Sequence, residues 1–536
     1  MKRRNLIKEL AIVPLAGGLI ASSFPFQSFA NRQTPGRTKQ SGSNTQEASG
    51  VTSNSIYDSI GVRSVINGRG TVTIIGASRM LPEVEKTMRA ATGHYVQLDE
   101  LMEGAAKRLA ELTGAEWGIV TTGATGALIV GCAGIVTGGN PDKLWQLPNL
   151  EGMKNEVIIP RYSWTAYESA VRGVGVKLIE VATPDQLKAA VNDKTAMVLV
   201  LAGEQSENGP LSTRIISSIV KSLNIPILVD AAAEGLSLPN PHLSQGADLV
   251  AYSGGKYLSG PQCAGLLLGR KDLVKAAWVT SAPHHGYGRG YKVGREEIMG
   301  MLTAVEMWFK RDHAAEMLKW NNWLNNIASR LKDIPGVVIE IRQPLGRSNP
   351  SPDLLVKWDT SLIPLSGYDV ENLLWDDNPR VAVSGAGSFL PFPPNMQPNI
   401  SINSSQLEEG EEKIIAERVF NVLSKPPVIN KNLSSPAFDV SGDWSLEMKF
   451  VAGRAKQKLA LKQSGKDLSG IHTASYAPRS LTGHLNGNNI LIRSAYTTQG
   501  VRLSFEFTGV VKANEMEGHV IMGEYGMAEW KAVREK

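Results

Sequence analysis

The sequence predicts an α/β fold with a mostly parallel central sheet, followed by a small α+β domain and a C-terminal all-β meander or barrel. Short apolar runs alternate with helical patterns between residues 82 and 256, and this alternation is typical of parallel sheets. The runs that end at Asp230 and near Tyr252 are apolar throughout, which favours strands buried on both faces. Beyond residue 440 the chain changes to short alternating segments separated by Gly and Asn-Gly, a pattern typical of β-hairpins.

The composition limits the classes of function. A chain of 536 residues is expected to fold into about two to four domains. The net charge of +5 is small for this length, and no basic stripe interleaved with aromatic residues is present, so no nucleic-acid partner is expected. Cys132 and Cys263 stand in apolar or Gly-rich contexts and lack the spacing of metal ligands, which predicts buried free thiols and no metal site.

Residues 1–30 are predicted to be an export signal. The segment Lys2–Lys8 is basic, an apolar run follows, and Ser28-Phe29-Ala30 resembles a small-residue cleavage site. The pair Arg3-Arg4 is typical of twin-arginine signals, so the mature protein is expected to be periplasmic or extracellular; a plain secretory signal is the alternative. The apolar run is short and contains Pro14, so no stable membrane anchor is expected. Residues 31–55 are almost devoid of apolar side chains and are predicted to be a disordered linker.

Residues 56–285 are predicted to form the large domain. The stretch Val62–Ile75 is extended in character, and helices are expected over Pro82–Thr92 and Leu98–Thr113, where apolar residues repeat at helical spacing. Further along, short strands and helices alternate; the strands are Glu156–Pro160, Val176–Val181 and Ala196–Leu201, and the helices are Tyr167–Val174 and Pro184–Val191.

The segment Trp117–Val136 is predicted to be a strand, a Thr/Gly-rich turn and a helix. This arrangement directs free backbone N–H groups and the positive end of a helix dipole at the turn, which suits a phosphate monoester. Gly123 lets the backbone approach a ligand, and Thr122 or Thr125 could add a hydroxyl. The turn lacks the lysine of a nucleotide-binding P-loop.

Asp230 and Lys256 are the residues on which the functional interpretation depends. Ligands of parallel sheets bind beyond the carboxyl ends of the strands, where both side chains would emerge. Such a pair can serve pyridoxal phosphate, because the lysine bonds to the cofactor aldehyde and the aspartate keeps the ring nitrogen protonated. Ser253 adds a hydroxyl three residues before the lysine. The alternative is a surface lysine and an aspartate that caps a helix.

Several motifs agree in order and spacing with one enzyme family. They are INGRGTVT (66–73), TTGATG (121–126), VDAAAE (229–234), SGGKYLSGPQCAG (253–265) and GRGYKVGREEI (288–298). With them the chain resembles the fold-type-I pyridoxal-phosphate enzymes, in particular the group of selenocysteine synthase (L-seryl-tRNA(Sec) selenium transferase) and D-glucosaminate-6-phosphate ammonia-lyase. The resemblance covers roughly residues 56–424.

The resemblance implies roles for individual residues. Lys256 would form the Schiff base with pyridoxal phosphate and move protons, and Asp230 would pair with the pyridine nitrogen. Family members often carry a His-Arg pair where this sequence has Ser163-Trp164; Trp164 is the candidate for stacking on the cofactor ring, and packing in the core is the alternative. The phosphate would be contacted by Gly123, Ala124 and Ser253.

A basic, Gly-rich segment after the large domain supplies candidates for substrate binding. Arg289, Lys292 and Arg295 lie close together in the sequence, and in homodimers of this fold such a loop can reach the neighbouring active site. They are candidates for binding a substrate carboxylate or phosphate; a solvated basic patch is the alternative.

Two further regions complete the chain. Residues 286–424 are predicted to be a small α+β domain, in which the strand Asn399–Asn403 carries no arginine. Many fold-type-I enzymes bind the substrate carboxylate with an arginine on a late strand, so ordinary transamination is not favoured.

Residues 425–439 are a predicted linker, and residues 440–536 are predicted to be a β-barrel-like module of about eight strands. This module resembles the lipocalin-like modules of exported bacterial hydrolases, and its expected role is packing, stability or partner contact.

These observations predict an exported pyridoxal-phosphate enzyme that acts on a small amino acid or amino sugar acid, by an elimination of the ammonia-lyase type. Selenium transfer onto seryl-tRNA is one alternative, disfavoured because an exported enzyme meets no aminoacyl-tRNA. A non-catalytic binding protein on the same scaffold is the other. The resemblance also implies a homodimer or a higher homo-oligomer.

Overall fold

The computed structural model describes residues 56–385, 397–427, 434–474, 477–498 and 501–535. The predicted export signal (1–30) and first linker (31–55) lie outside the described residues, as does part of the predicted second linker, 428–433. Within the described ranges, no helix combines the length and the apolar character that crossing a bilayer requires.

Helices and strands alternate from residue 66 to residue 280. In chain order they are β1 (Ile66–Asn67), α1 (Pro82–Thr92), α2 (Leu98–Thr113), β2 (Trp117–Thr121), α3 (Gly123–Thr137), α4 (Pro141–Gln146), β3 (Glu156–Pro160), α5 (Ser169–Gly173), β4 (Lys177–Val181), α6 (Pro184–Ala190), β5 (Thr195–Leu201), α7 (Glu204–Asn208), α8 (Thr213–Val220), β6 (Ile227–Asp230), α9 (Pro241–Ser244), β7 (Leu249–Ser253), β8 (Gly265–Gly269) and α10 (Lys271–Thr280).

Seven of these strands form one sheet in the order β2-β8-β7-β6-β5-β3-β4. All neighbours from β4 to β7 are parallel, and β8 runs antiparallel to both β7 and β2. The prediction of a mostly parallel sheet is therefore confirmed. The central strands are buried on both faces, which explains their uninterrupted apolar sequence. Each fully buried Val or Leu contributes about 1.5–3 kcal/mol.

Helix α3 crosses this sheet and is buried on nearly all sides. Its small residues allow close approach to α10: a Cβ on Gly134 would lie 2.6 Å from the backbone nitrogen of Ala277. The N-terminal end of α3, which follows directly on β2, is thereby held in a fixed position at the carboxyl edge of the sheet.

The following region contains two long helices and a second sheet. Its elements are α11 (Arg295–Trp308), α12 (His313–Leu331), β9 (Val337–Arg342), β10 (Asp353–Trp358), α13 (Gly367–Asp376), β11 (Val381–Ala382), β12 (Ser384–Gly385), β13 (Asn399–Asn403) and α14 (Glu411–Ser424). The antiparallel sheet has the order β12-β13-β10-β9, and α12 and α14 pack together with it around the buried Trp358. The expected small α+β region is thus present.

The last region is a closed barrel of eight antiparallel strands. They are β14 (Gly442–Lys449), β15 (Arg454–Ser464), β16 (Asp467–Thr473), β17 (Pro478–Asn486), β18 (Asn489–Thr498), β19 (Val501–Lys512), β20 (Glu515–Ile521) and β21 (Met527–Arg534). Each strand pairs with the next, and β14 pairs with β21. Buried and exposed residues alternate along most strands, for example in β15, as the sequence predicts for a barrel wall.

The structure differs from the sequence-based expectation in three places. Both cysteines were expected to be buried, but Cys263 is exposed, and only Cys132 is buried. The stretch Val62–Ile75 was expected to be extended, but only β1 is a strand there, and Thr73–Ile75 forms a 3-10 turn. Strand β8 was not predicted. Three separate hydrophobic cores are present among the described residues, and the first includes Ile298 and Met301 of α11. The boundaries 56–285, 286–424 and 440–536 stay a prediction.

Candidate active site

Asp230 is the last residue of β6. The three apolar residues before it place this strand inside the sheet, so the carboxylate emerges at the carboxyl edge, where only 7% of the residue is exposed. Its Oδ1 accepts a hydrogen bond from the backbone N–H of Ala232 at 3.1 Å. Burial raises the pKa of Asp230, and the Ala232 N–H and the charge of Lys256 oppose this rise.

Lys256 lies in the turn that connects β7 to β8. This turn is packed so tightly that it requires glycines before the lysine. A Cβ on Gly254 would lie 2.7 Å from the sulfur of Met301, and a Cβ on Gly255 would lie 2.7 Å from the Cα of Gln262. The glycines of the SGGK motif therefore serve the close packing that fixes the lysine at the sheet edge.

Asp230 and Lys256 lie on neighbouring strands at the same edge. Asp230 pairs in register with Ala251 of β7, and Lys256 follows the end of that strand. Burial lowers the pKa of the Lys256 ammonium, while the Asp230 carboxylate acts to raise it. Because the lowered pKa favours the neutral amine, more of the nucleophilic form is present at a given pH than for an exposed lysine. The predicted pair is therefore brought together.

A cavity of about 480 Å³ opens beside Lys256. Pockets of this size accommodate small organic ligands. The lining combines hydroxyl groups, apolar side chains and the backbone of the lysine turn; the lining residues are Thr71, Thr73, Ala77, Met80, Met88, Ser253, Gly255, Lys256, Pro261, Gln262 and Cys263. Ser253 and Lys256 thus share one cavity with the threonines of the INGRGTVT motif.

The turn between β2 and α3 has the geometry of an anion site. Gly123 has a φ of 66° with open space where a Cβ would stand, and the buried hydroxyl of Thr122 has no hydrogen-bond partner among the described residues. Ala124 lies in the first turn of α3, where backbone N–H groups lack helical partners. On β8, a Cβ on Gly265 would lie 2.4 Å from the carbonyl carbon of Gly123. Strand β8 therefore packs against the turn, while the space beside Gly123 stays open for a ligand.

The residues present fit pyridoxal phosphate. Strands β2, β7 and β6 run in the same direction and span three strand spacings, roughly 14 Å, so the anion turn, the amine and the carboxylate share one edge. In addition, the buried hydroxyl of Ser78 has no hydrogen-bond partner within the described ranges, and its backbone N–H donates to Gly255 O at 3.0 Å. Unsatisfied buried hydroxyls beside an anion turn are accounted for by a phosphate ligand.

Trp164 follows β3 and is tied to the outer strand of the sheet. Its indole N–H donates to Glu180 Oε2 on β4 at 2.7 Å, and Arg161 Nε donates to Glu180 Oε1 at 2.7 Å. The neighbouring Ser163 hydroxyl accepts the backbone N–H of Leu201 at 3.0 Å. The indole N–H thus points to a strand three positions from β6, and stacking of Trp164 on the cofactor ring stays a prediction.

The three basic candidates for substrate binding lie outside the cavity described above. Arg289 and Lys292 are exposed. Arg295 begins α11 and caps the end of α1, because its Nε donates to Ala91 O at 3.1 Å and its Nη2 to Thr92 O at 3.2 Å. For Arg295 the structure thus gives a structural contact, and a substrate role for any of the three stays a prediction.

Sequence reasoning missed a basic group that reaches the same sheet edge from the loop between β9 and β10. Arg347 Nη2 lies 2.9 Å from Glu207 Oε1, and its Nε lies 3.6 Å from the buried Glu234 Oε2. Glu234 follows Asp230 by four residues and also contacts His242 Nε2 at 2.7 Å. A search confined to the late strand Asn399–Asn403 could not find this arginine, and nothing in the sequence distinguishes Ser78 from other serines.

A half-buried lysine and a buried carboxylate at adjacent strand ends, beside an anion-binding turn on this sheet, define a fold-type-I pyridoxal-phosphate enzyme. Comparison with known proteins agrees. Residues 86–292 match the family model described as Aminotransferase class-V. The chain belongs to the family of pyridoxal-phosphate enzymes that includes D-glucosaminate-6-phosphate ammonia-lyase and the selenium transferases. The predicted fold type, cofactor and enzyme class are thereby confirmed.

The individual relatives differ in reaction. D-glucosaminate-6-phosphate ammonia lyase of Salmonella typhimurium is 31% identical over 54% of this chain and 78% of the relative. A 5'-C-glycyluridine monooxygenase-decarboxylase of a Streptomyces species is 28% identical over 56% and 75%. L-seryl-tRNA(Sec) selenium transferase of Proteus mirabilis is 26% identical over 46% of this chain and 57% of the relative. A solved structure of D-glucosaminate-6-phosphate ammonia-lyase superposes with a TM-score of 0.60 at 28% identity, over 70% of this chain and all of that one.

Replacing Gly265 with alanine tests the anion turn. The added methyl would overlap the Gly123 carbonyl carbon and displace the turn. Overpacking of this kind costs about 1–3 kcal/mol, so Gly265→Ala is expected to weaken the affinity for pyridoxal phosphate about tenfold. The measurement is a titration of the cofactor-free protein followed by absorbance. Gly104→Ala, in an exposed part of α2 with no atom within 4 Å of the new methyl, is the matched control and should leave the affinity unchanged. Equal affinities in the two variants would contradict the assignment.

Proposed function

We propose that the protein is a pyridoxal-phosphate-dependent lyase that removes ammonia or water from a small amino acid or amino sugar acid. The observation that carries this proposal is the pair of the half-buried Lys256, which lines the cavity, and the buried Asp230, whose charge interacts with that of the lysine. Among the relatives given above, the ammonia-lyase is the one whose name describes the proposed type of reaction, and it also has the highest sequence identity to this chain.

When bound, the cofactor draws electrons from the bonds of the carbon that carries the substrate amine. Lys256 supplies a neutral amine that can take a proton at Nζ from this carbon and return one to a leaving group. Asp230 would keep the ring nitrogen of the cofactor protonated, and the hydrogen bond from the Ala232 N–H to its Oδ1 fixes the orientation of this carboxylate. The threonine and serine hydroxyls around the cavity orient the polar groups of the substrate.

Selenium transfer onto seryl-tRNA is less well supported. The chain spans only 57% of the selenium transferase that it matches, and an exported protein would not meet a charged tRNA. A purely binding role is disfavoured by the presence of Lys256 and Asp230 together at neighbouring strand ends, since a non-catalytic binder would be free to lose either residue.

Replacement of Lys256 tests the proposed reaction. Proteins carrying Lys256→Ala and Lys188→Ala, the latter an exposed lysine of α6, are incubated with a panel of amino acids and amino sugar acids, and ammonia and 2-oxo acid are measured. Loss of the proton-transfer group is expected to lower kcat/KM at least about 10²-fold and to abolish the visible absorbance of lysine-bound cofactor, while Lys188→Ala retains both. Ammonia release that survives Lys256→Ala would refute the proposal. So would the absence of both product and visible absorbance in the unaltered protein.

We also propose that the protein is exported by the twin-arginine route. The support is the order of basic, apolar and small residues over positions 1–30. Replacement of both Arg3 and Arg4 by lysine is expected to abolish transport of a reporter that must fold before export. An unchanged level of exported reporter would favour a plain secretory signal instead.

A homodimer is the proposed assembly. Its support is a set of large apolar side chains that stand exposed in the N-terminal part of the described chain, among them Ile60 and Ile74, exposed by 73% and 70%, and Tyr95. Light scattering of the protein lacking residues 1–30 should give twice the mass of one chain, and the double variant Ile60→Asp/Ile74→Asp should give a larger monomer fraction. A monomer at micromolar concentration before any substitution would contradict this assembly.

A further inference from the structure

The interior of the C-terminal barrel contains a layer of polar side chains that its packing does not require. Gln457 of β15, His472 of β16, Arg479 of β17 and Ser494 of β18 are all buried. His472 and Arg479 are direct cross-strand partners. The inward-facing residues nearer the turn between β15 and β16, at the other end of these strands, are apolar, for example Leu461 and Leu468. Apolar side chains could fill the same space inside the barrel. The presence of buried polar groups there therefore indicates a function.

His472 is neutral and has both ring nitrogens in hydrogen bonds. Its Nε2 lies 2.6 Å from Gln457 Oε1 and its Nδ1 lies 2.7 Å from Ser494 Oγ. Since the amide oxygen can only accept, Nε2 carries the proton, and the Ser494 hydroxyl donates to Nδ1. Burial and the nearby Arg479 charge lower the pKa of His472 to about 3. The histidine therefore contributes no charge above pH 5.

Arg479 is the charged member of this layer, and two of its nitrogens lack a hydrogen-bond acceptor within the described ranges. Only 5% of the residue is exposed, and its Nε and Nη1 have no hydrogen-bond partner among the residues that the structure describes. No carboxylate of the described residues forms an ion pair with it. Its guanidinium carbon instead lies 4.8 Å from the ring centre of Phe505 and 5.6 Å from that of Tyr496. Aromatic faces offset the burial of a cation only in part, and free N–H groups still need an acceptor.

A cavity of about 510 Å³ opens at one end of the barrel, and a residue in contact with Arg479 forms part of its lining. Its lining is formed almost entirely by apolar and backbone groups at one end of the barrel: Phe450, Val451, Ala452, Gly453, Leu503, Ser504, Phe505, Met522 and Tyr525. The ring of Phe505 forms part of this lining and also contacts Arg479. The apolar cavity and the unpaired cation are therefore separated by one aromatic ring, which gives the site two chemically different ends.

We propose that the barrel binds a monocarboxylate with an apolar body, the carboxylate at Arg479 and the hydrocarbon in the cavity beside Phe505. A single negative charge matches the one cation present, because His472 is neutral; a phosphate dianion would bring one charge more than the site can neutralise. The cavity lies in the volume range of small-ligand pockets, and its apolar lining suits a hydrocarbon rather than a sugar. The site is independent of Lys256 and of the proposed lyase reaction.

Calorimetric titration of the cofactor-loaded full chain with decanoate and with decanol tests the site. Decanoate is expected to bind at one site per chain, at least about tenfold more tightly than the neutral alcohol of the same length, because only the carboxylate pairs with the guanidinium. Arg479→Met keeps the bulk of the side chain and should remove this preference. Arg493→Met, on the same barrel but ion-paired outside to Glu506, is the matched control and should keep it.

Two further measurements exclude a misfolded variant and the cofactor cavity as explanations. Leu503→Trp fills the apolar cavity and should abolish binding of both probes while Arg479 is intact. Thermal unfolding of the ligand-free protein should show Arg479→Met to be at least as stable as the unaltered chain, because an unpaired buried charge is removed. The proposal is overturned if decanoate does not bind, or if Arg479→Met or Leu503→Trp binds it as well as the control does. It is also overturned if Arg479→Met is destabilised, because Arg479 then serves the packing of the barrel itself.

Discussion

The active site depends on the joint burial of an amine and a carboxylate at the ends of two neighbouring parallel strands. Neither group would keep its charge easily alone in this position, and each lessens the cost of burying the other. Their placement requires strands whose interior is wholly apolar and a turn without Cβ atoms at two positions. The turn is held from a second side as well, because the Tyr257 hydroxyl contacts Ser351 Oγ at 2.7 Å and Arg311 Nη1 donates to Tyr257 O at 3.0 Å.

Much of this arrangement follows from local sequence. Uninterrupted apolar runs fix β6 and β7, and helical spacing fixes α1 and α2 with the same boundaries that the structure shows. The antiparallel strand β8 was not predicted, because its sequence GLLLG directly follows a Gly-rich turn and resembles a continuation of that turn. Strand β1 is only two residues long because its partner, Val381–Ala382, pairs over so short a stretch; a pairing across three hundred residues leaves no local pattern.

The side chains around the site were predictable to different degrees. Asp230, Lys256 and the Gly123 turn stand at strand ends, where topology alone determines the neighbourhood. Arg295 and Trp164 are different, since their partners are the carbonyls of α1 and the carboxylate of Glu180, which the sequence does not connect to them. Arg479 is the same kind of case: alternation places it inside the barrel, but only the structure shows that its Nε and Nη1 lack partners in the described part of the chain.

Closure of the barrel has a consequence for the order of assembly. Strand β14 bonds to β15 on one side and to β21 on the other, so its second row of hydrogen bonds stays vacant until all eight strands have left the ribosome. Before that moment the nascent module presents two open edges to other chains. The α/β regions need none of these strands and are free to form while the barrel is still being synthesised. Translation speed through the final hairpin therefore sets how long the open edges are exposed.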